Sequence, residues 1–160
     1  MQLKGKTAII TGGGSGFGAS MADLFAKNGA KVIVADIDLD SARKVAEGIG
    51  GYALEVDVSN AKSVEQMKID IFKEHEKVDI VVNNAGTTHL PAPMETIEED
   101  EFDRVFNVNC KSVYLTAKHF VPHFKENKSG VILNIASTAG VSPRPNLNWY
   151  NSSKGWMILA

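Results

Sequence analysis

The chain has 160 residues, of which 44% are hydrophobic and 22% are charged, and its formal net charge is -2. These values are typical of a folded domain and predict no broad basic surface for nucleic acid. No apolar run approaches the roughly 20 residues that cross a bilayer, so no membrane partner is expected. Cys110 is the only cysteine, which excludes an internal disulfide, and no signal peptide is visible, so a cytoplasmic location is the default expectation.

Short, almost continuously apolar runs alternate with longer amphipathic segments. The apolar runs predict strands buried on both faces, at Lys6–Thr11, Lys31–Asp36, Gly51–Asp57, Val78–Asn84 and Gly130–Ser137. The segments between them predict helices at Gly16–Lys27, Asp40–Glu47, Ser63–His75 and from Glu98 to about Lys125. This order predicts an α/β fold, a doubly wound parallel sheet in three α/β/α layers, with residues 1–160 as a single domain.

Two local patterns add detail to this prediction. Ser63 with Gln66 three residues later has the spacing of a capping box, which places a helix start at Ser63. The segment Gly86–Thr96 contains two prolines and has the composition of a surface loop. Ligands of such sheets bind at the carboxyl ends of the strands, so chemistry is expected in the residues that follow each strand.

Glycines follow the first strand in "TGGGSGFG", Thr11 to Gly18. Gly12, Gly16 and Gly18 let the backbone turn tightly and approach a ligand, and the helix that begins here offers free N–H groups to a diphosphate. A glycine-rich turn without a ligand is the alternative interpretation. No Lys-Ser/Thr pair follows the glycines, which argues against a nucleoside-triphosphate loop.

Acidic residues end the next two strands. Asp36 stands where a carboxylate accepts hydrogen bonds from the adenosine ribose, and no Arg or Lys lies beside it in "ADIDLD", which favours NAD over NADP. The alternative is that Asp36, Asp38 or Asp40 caps the following helix. Asp57 can meet an adenine amino group, but helix capping explains it equally well.

Tyr150 and Lys154 have the spacing of residues that share one face of a helix. A free phenol has a pKa of about 10 and is a poor base at neutral pH, whereas a nearby ammonium favours the phenolate. Such a pair can take a proton from an alcohol or give one to a carbonyl oxygen. Ser137, at the end of the fifth strand, can hydrogen-bond the same oxygen.

The motifs "TGGGSGFG", "NNAG" (Asn83 to Gly86) and "YNSSK" occur here in the order and at the spacing of the short-chain dehydrogenase/reductase family, and the whole chain resembles that family. The resemblance implies a Rossmann fold and a set of cofactor contacts. These are Gly12, Ser15, Gly16, Phe17, Gly18, Asp36, Asp57, Val58, Asn84, Ala85 and Gly86, with Tyr150 and Lys154 at the nicotinamide end. It also implies that Asn83, Ala85 and Gly86 shape the pocket floor, and that the catalytic residues are Asn109, Ser137, Tyr150 and Lys154.

The activity that the resemblance implies is hydride transfer between NAD(H), less readily NADP(H), and a secondary alcohol or ketone. Asn109 would hold a water molecule that connects Lys154 to solvent, and the intact protein would be a homotetramer or a homodimer. The chain is similar to bacterial 3-oxoacyl-carrier-protein reductases and to sugar or polyol dehydrogenases, which does not select a substrate. Two other classes stay open: a dinucleotide-binding module or sensor without turnover, and a structural subunit with a vestigial pocket.

Family members continue beyond the equivalent of Ala160, so we expect the chain to be incomplete at its C-terminus. Strand five would then lie at a sheet edge, and Trp156, Ile158 and Leu159 would lack part of their cover. The missing part includes segments that close over the substrate, so turnover by this chain alone is an open question.

Several other residues are interpreted without chemistry. His119 and His123 are four residues apart, but Pro122 lies between them and no third ligand is at hand, so a solvated or interface helix face is favoured over a metal site. Cys110 is interpreted as a small packed residue, and His89 as an exposed loop residue near the pocket. The helix between strands four and five carries apolar residues assigned to the core or to subunit contacts: Phe102, Val105, Phe106, Val113, Phe120 and Phe124.

Overall fold

The computed structural model of the protein describes residues 3–160, and these form one parallel five-stranded sheet with helices on both faces. The strands are β1 (Thr7–Thr11), β2 (Lys31–Asp36), β3 (Tyr52–Glu55), β4 (Ile80–Asn83) and β5 (Val131–Asn134). The helices are α1 (Gly16–Lys27), α2 (Leu39–Ile49), α3 (Ala61–Glu74), α4 (Glu99–Phe106), α5 (Ser112–Glu126) and α6 (Asn148–Leu159). The predicted doubly wound, Rossmann-like α/β fold is confirmed.

Two apolar clusters cover the two faces of the sheet. Ile9 packs with Met67 of α3 and Phe120 of α5 on one face. Its neighbour Ile10 packs with Ala22 of α1 and Ala46 of α2 on the other, because successive side chains of a strand point to opposite faces. All five residues of β1 are buried, as the continuous apolar run predicted.

The spatial order of the strands is β3-β2-β1-β4-β5. The chain therefore reverses its direction of winding between β1 and β4, which are paired in parallel with Ile9 opposite Val81. A crevice opens at the carboxyl ends of the strands on either side of such a reversal. The glycine segment after β1 and the "NNAG" segment after β4 both lie there.

The start of α3 differs from the prediction. The helix begins at Ala61, and the side chain of Asn60 accepts hydrogen bonds from the backbone N–H groups of Lys62 and Ser63. The prediction of a capping box at Ser63 is therefore wrong. The Ser63 hydroxyl instead accepts a hydrogen bond from the Asp57 N–H at 3.0 Å, which connects the helix to the end of the preceding strand.

The long helix predicted from Glu98 to Lys125 is divided. Between α4 and α5 lies a π-helical turn, Asn107–Lys111. A π-turn inserts an extra residue into the helix and rotates the side chains on either side of it, and such turns are frequent at functional sites. Asn109 lies in the middle of this turn and is fully buried.

The far end of the chain has the exposure expected from the sequence. β5 is an edge strand, with Val131 and Leu133 partly exposed. On α6, Trp156, Ile158 and Leu159 are exposed as predicted. None of the helices in the described residues combines the length and apolar composition that a membrane crossing requires.

Asp79 connects the start of β1 to the start of β4, and its loss is expected to destabilise the protein. The carboxylate is 7% exposed, accepts a hydrogen bond from the Thr7 N–H at 3.0 Å, and pairs with Lys6 and Lys77. Burial opposes its charge, but these partners outweigh burial and hold the pKa of Asp79 below its usual value. Replacing Asp79 with Asn is expected to lower the free energy of unfolding at neutral pH by about 2 kcal/mol.

The pH dependence of this effect follows from the direction of the pKa shift. A depressed carboxyl pKa contributes stability that is fully present above the unfolded-state pKa of about 3.9 and is lost as the pH falls through the folded-state pKa. Urea unfolding at neutral pH and in acid should therefore show the difference between wild type and Asp79→Asn shrinking in acid. Asp40→Asn is the control, because the Asp40 side chain is 93% exposed at the start of α2, and it should change little at neutral pH.

Candidate active site

The glycine segment makes a tight turn that brings the start of α1 against the ends of β1 and β4. Gly12 and Gly16 have positive φ angles of 62° and 52°, which side chains disfavour. Gly18 packs so closely on the turn that an added Cβ would overlap the Gly12 carbonyl and lie 2.6 Å from Asn84 Nδ2. Ser15 precedes the helix without a side-chain capping bond, and no acidic residue lies in the first turn of α1. This helix end is therefore suited to an anion.

Asn84 and Thr11 connect the two halves of the crevice. Asn84 Nδ2 donates to the carbonyl oxygens of Thr11 and Gly12, at 2.9 and 3.0 Å. The Thr11 hydroxyl accepts from the N–H groups of Asn84 and Ala85 and donates to Val82. Asn83 bonds Asn134 of β5 through its side chain. The two asparagines thus tie the end of β4 to β1 and to β5.

A cleft of about 620 Å³ runs along this edge of the sheet. It is lined by ten of the residues predicted as cofactor contacts: Gly12, Ser15, Gly16, Phe17, Asp36, Asp57, Val58, Asn84, Ala85 and Gly86. Gly18 does not line it, since its place is under the turn. We call this the glycine-loop cleft.

The acidic residues of the glycine-loop cleft are not helix caps. Asp38, not Asp36, is the N-cap of α2 and accepts from the N–H groups of Asp40 and Ser41. The Asp36 carboxylate accepts from the Gly14 N–H at 2.9 Å and from the Asp38 N–H at 3.1 Å, so it is held in place beside the turn. Asp57 uses one carboxylate oxygen to close a turn with Ser59.

A second cleft, of about 410 Å³, adjoins the first and contains three of the four predicted catalytic residues. Ser137, Tyr150 and Lys154 line it, and we call it the tyrosine cleft. The two clefts share four lining residues: Phe17, Asn84, Gly86 and Thr87. A ligand in the first cleft can therefore reach a ligand in the second at this shared boundary.

Lys154 is buried under the tyrosine cleft, with 5% of its surface exposed. Its Nζ donates to the Ile135 carbonyl at 2.9 Å and lies 6.0 Å from the centre of the Tyr150 ring. Burial lowers the pKa of Lys154, because the charged form loses hydration. The Ser137 hydroxyl accepts from the Ala139 N–H at 3.1 Å, which leaves its own proton free for a ligand.

Asn109 lies behind both clefts and lines neither. Its side chain accepts from the Thr87 N–H at 2.8 Å and donates to the Thr87 carbonyl and to Ser153 of α6, both at 2.9 Å. A Cβ on Gly86 would lie 3.4 Å from Asn109 Oδ1 and 3.3 Å from Lys154 Nζ, so the two polar groups flank the same glycine. The π-turn thus places Asn109 where it connects the loop after β4 to the helix that carries Tyr150.

His123, His89 and Cys110 are packed against other parts of the protein. His123 is half-buried, accepts from the Val78 N–H at 3.2 Å and packs on Phe72, so its ring is held by the protein and is not fully solvated. His89, expected to be exposed, is 2% exposed. Cys110 is packed as predicted, and burial raises the pKa of its thiol to about 11. In the described part of the chain, no three His, Cys, Asp or Glu side chains come together as a potential metal site.

Several residues at the clefts were not identified from the sequence. Arg104 of α4 lines the glycine-loop cleft, donates to Thr87 and Thr88, and pairs with Glu101. Arg144 lines the tyrosine cleft. The sequence did offer one indication of Arg144, which lies between two prolines in the loop that separates Ser137 from Tyr150.

The glycine turn, the reversal of winding and the adjoining polar cleft define a dinucleotide-binding type of α/β protein. Residues 6–159 match the family model described as short chain dehydrogenase, and the chain belongs to that family. The chain is 45% identical over 163 residues to 4-formylbenzenesulfonate dehydrogenase of Comamonas testosteroni, covering 99% of this chain and 65% of the relative. It is 35% identical over 165 residues to a 3-oxoacyl-(acyl-carrier-protein) reductase of Thermotoga maritima, covering 99% and 66%.

Solved structures agree with this assignment. The 3-ketoacyl-(acyl-carrier-protein) reductase of Brucella melitensis complexed with NADH is 48% identical, with a TM-score of 0.96 that covers 99% of this chain and 68% of the other. NAD+-bound xylitol dehydrogenase is 27% identical, with a TM-score of 0.93 over 99% and 63%. The chain thus spans about two thirds of the length of its relatives. The family comprises oxidoreductases that use nicotinamide cofactors.

Proposed function

We propose that the protein is an NAD(H)-dependent oxidoreductase that interconverts a secondary alcohol and a ketone, with residues 1–160 forming its dinucleotide-binding domain. The observation that carries the proposal is the shared boundary of the two clefts. The tyrosine cleft is lined by Ser137, Tyr150 and Lys154, and the glycine-loop cleft is lined by the glycine turn and Asp36. Phe17 and Gly86 line both clefts. A cofactor and a substrate placed in the two clefts would meet at that boundary.

The residues of the glycine-loop cleft fit a dinucleotide. The diphosphate would lie on the N-terminus of α1, where a Cβ on Gly16 would project into open space. Asp36 would accept hydrogen bonds from the adenosine ribose, and Asp57 and Val58 would contact the adenine. The only Lys or Arg that lines this cleft is Arg104, which is paired with Glu101, so nothing beside Asp36 favours a 2′-phosphate.

The chain's own groups would handle the substrate proton. Nicotinamide supplies the hydride acceptor or donor when it is bound. Tyr150 would take the hydroxyl proton of an alcohol during oxidation, or give its phenol proton to the carbonyl oxygen during reduction. Ser137 would donate a hydrogen bond to the same oxygen, and Lys154, whose Nζ lies 6.0 Å from the centre of the Tyr150 ring, would assist the proton transfer. Asn109 would hold the loop at Gly86 against α6 and support the proton path that includes Lys154.

The relatives do not agree on a substrate. One is named for an aldehyde that carries a sulfonate, and others for acyl chains on a carrier protein or for xylitol. We therefore propose a small alcohol or carbonyl compound. A homotetramer or homodimer and a cytoplasmic location stay predictions.

The cofactor assignment is tested by titrating protein fluorescence with NADH and NADPH, in wild type and in Asp36→Asn. The wild type is expected to bind NADH more tightly. In Asp36→Asn the ratio of the two affinities should fall about tenfold, since the variant loses charge-assisted hydrogen bonds to the ribose and the repulsion of a 2′-phosphate. Asn retains an oxygen that can accept from the Gly14 N–H, so the turn should persist.

Asp40→Asn is the matched control, because Asp40 lies four residues away on the exposed start of α2. It should leave both affinities unchanged. An unchanged ratio in Asp36→Asn would contradict the role of Asp36, and no saturable binding of either nucleotide would contradict the proposed function. Binding without hydride transfer to any alcohol or ketone would indicate a dinucleotide-binding module instead.

A further inference from the structure

The tyrosine cleft has an excess of positive charge. Lys154 and Arg144 line it, and none of its lining residues is acidic. The adjoining glycine-loop cleft, by contrast, is lined by Asp36 and Asp57. The two binding spaces therefore differ in charge, although the chain as a whole has a net charge of -2.

The two cations of the tyrosine cleft have different surroundings. The Lys154 ammonium is buried and donates to the Ile135 carbonyl. The Arg144 side chain is exposed, and among residues 3–160 no group lies within hydrogen-bond or salt-bridge distance of its guanidinium. Arg104, by comparison, is held by Glu101 through two hydrogen bonds of 2.8 Å. Arg144 thus presents an uncompensated charge and a planar set of donors to the cleft.

The backbone of Arg144 is fixed even though its side chain is free. Asn151, a buried residue of α6, accepts from the Arg144 N–H at 3.3 Å and donates to its carbonyl at 2.8 Å. Pro143 and Pro145 flank the arginine, and the following proline restricts it to extended conformations. Since Asn151 follows Tyr150 directly, the backbone of Arg144 is anchored to the helix that carries Tyr150. Because this backbone is already ordered, ligand binding would cost little further conformational entropy of the loop.

We propose that Arg144 binds an anionic group of the substrate, so that the substrate class is a small hydroxy or carbonyl compound bearing a carboxylate, sulfonate or phosphate. The assignment deepens the proposed function, because it concerns the cleft in which Tyr150 would meet the substrate oxygen. A guanidinium donates two parallel hydrogen bonds to such an anion, which sets the orientation of the ligand as well as its affinity. The anion would lie at the Arg144 side of the cleft and the reacting oxygen at Tyr150.

The test measures binding without turnover. Protein loaded with NADH cannot oxidise an alcohol, so three secondary alcohols are titrated by calorimetry as dead-end ligands: 4-(1-hydroxyethyl)benzoate, 4-(1-hydroxyethyl)benzenesulfonate and neutral 1-(4-methylphenyl)ethanol. The two anions are expected to bind about tenfold or more tightly than the neutral alcohol, with affinity that falls as salt is added. Benzyl phosphate, titrated in parallel, shows whether a phosphate is accepted in the same way.

Arg144→Gln should remove this preference, so that anions and neutral alcohol bind alike, and Arg144→Lys should restore part of it. Arg43→Gln is the matched control: it removes the same charge from the exposed face of α2 and should leave the preference intact. The titrations are repeated without NADH, and NADH affinity is measured separately in every variant. An anion preference that is absent in wild type or unchanged in Arg144→Gln overturns the assignment, whereas failure of NADH to bind counts against the proposed function alone.

Discussion

Replacing Tyr150 with phenylalanine is expected to lower kcat for alcohol oxidation about 10³-fold while NADH affinity changes less than about twofold. Tyr150 lines the tyrosine cleft, and no other phenol does, so the variant loses the group that would exchange a proton with the substrate oxygen. A positioned acid or base contributes roughly 10² to 10⁴ in rate. The measurement is steady-state NADH formation with the substrate that gives turnover, beside an NADH titration of the same preparation.

Tyr114→Phe is the control for this substitution. Tyr114 lies on α5 with 55% of its surface exposed, it lines neither cleft, and its hydroxyl has no partner in residues 3–160. Its loss should leave kcat and NADH affinity unchanged. Retention of more than about a tenth of wild-type kcat in Tyr150→Phe would show that another group moves the proton. A parallel loss of NADH binding would show that the ring is needed to build the cleft.

The sheet could be predicted from the sequence because its three central strands, β1, β2 and β4, are buried on both faces. Continuous apolar runs such as Lys31–Asp36 fit that environment, and the observed β2 has the same bounds. The ends of the edge strands were less accurate. Gly51–Asp57 was predicted as a strand, but β3 covers only Tyr52–Glu55, where it pairs with β2 from Ile33 to Asp36. β3 ends at Glu55 because its partner β2 ends at Asp36, and the apolar run of β3 does not contain that information.

The sequence did not determine which side chains make the local hydrogen bonds at helix ends. Asn60 and Ser63 are both good caps for α3, and the choice between them was made by Asp57, whose N–H uses the Ser63 hydroxyl. The π-turn at Asn107–Lys111 leaves no mark in an apolar pattern that fits a continuous helix. It depends on contacts of Asn109 with Thr87 and Ser153, which are distant in sequence.

Residues of the candidate site could be predicted from the sequence where a ligand requires a particular residue type. Residues that act only by contacting another segment of the chain could not. Gly12, Asp36 and Tyr150 stand after strands or on a helix at spacings that already indicated a ligand. Thr11 was counted as the end of a strand, although its hydroxyl joins β1 to the segment after β4. Its bonds are visible only when β1 and β4 are known to be neighbours, which follows from the winding of the chain and not from any local pattern.

The substitution Gly18→Ala is expected to cost about 3 kcal/mol in the free energy of unfolding and at least about 100-fold in NADH affinity. The added Cβ would overlap the Gly12 carbonyl, and the nearest other atom is Asn84 Nδ2, which is itself bonded to Gly12 and Thr11. Neither neighbour is the free end of a flexible side chain, so α1 must move away from the turn. That movement separates the helix N-terminus from the place where the diphosphate would lie.

Gly48→Ala is the control that separates this clash from the general effect of adding a methyl group. Gly48 is an exposed residue within α2, and a Cβ there would meet nothing within 4 Å. Alanine favours a helix over glycine by about 1 kcal/mol, so this variant should unfold at higher urea and bind NADH as wild type does. The same chemical change is therefore expected to lower the free energy of unfolding at Gly18 and to raise it at Gly48. Should Gly18→Ala bind NADH within twofold of wild type, close packing of α1 on the turn would not be what forms the cofactor site.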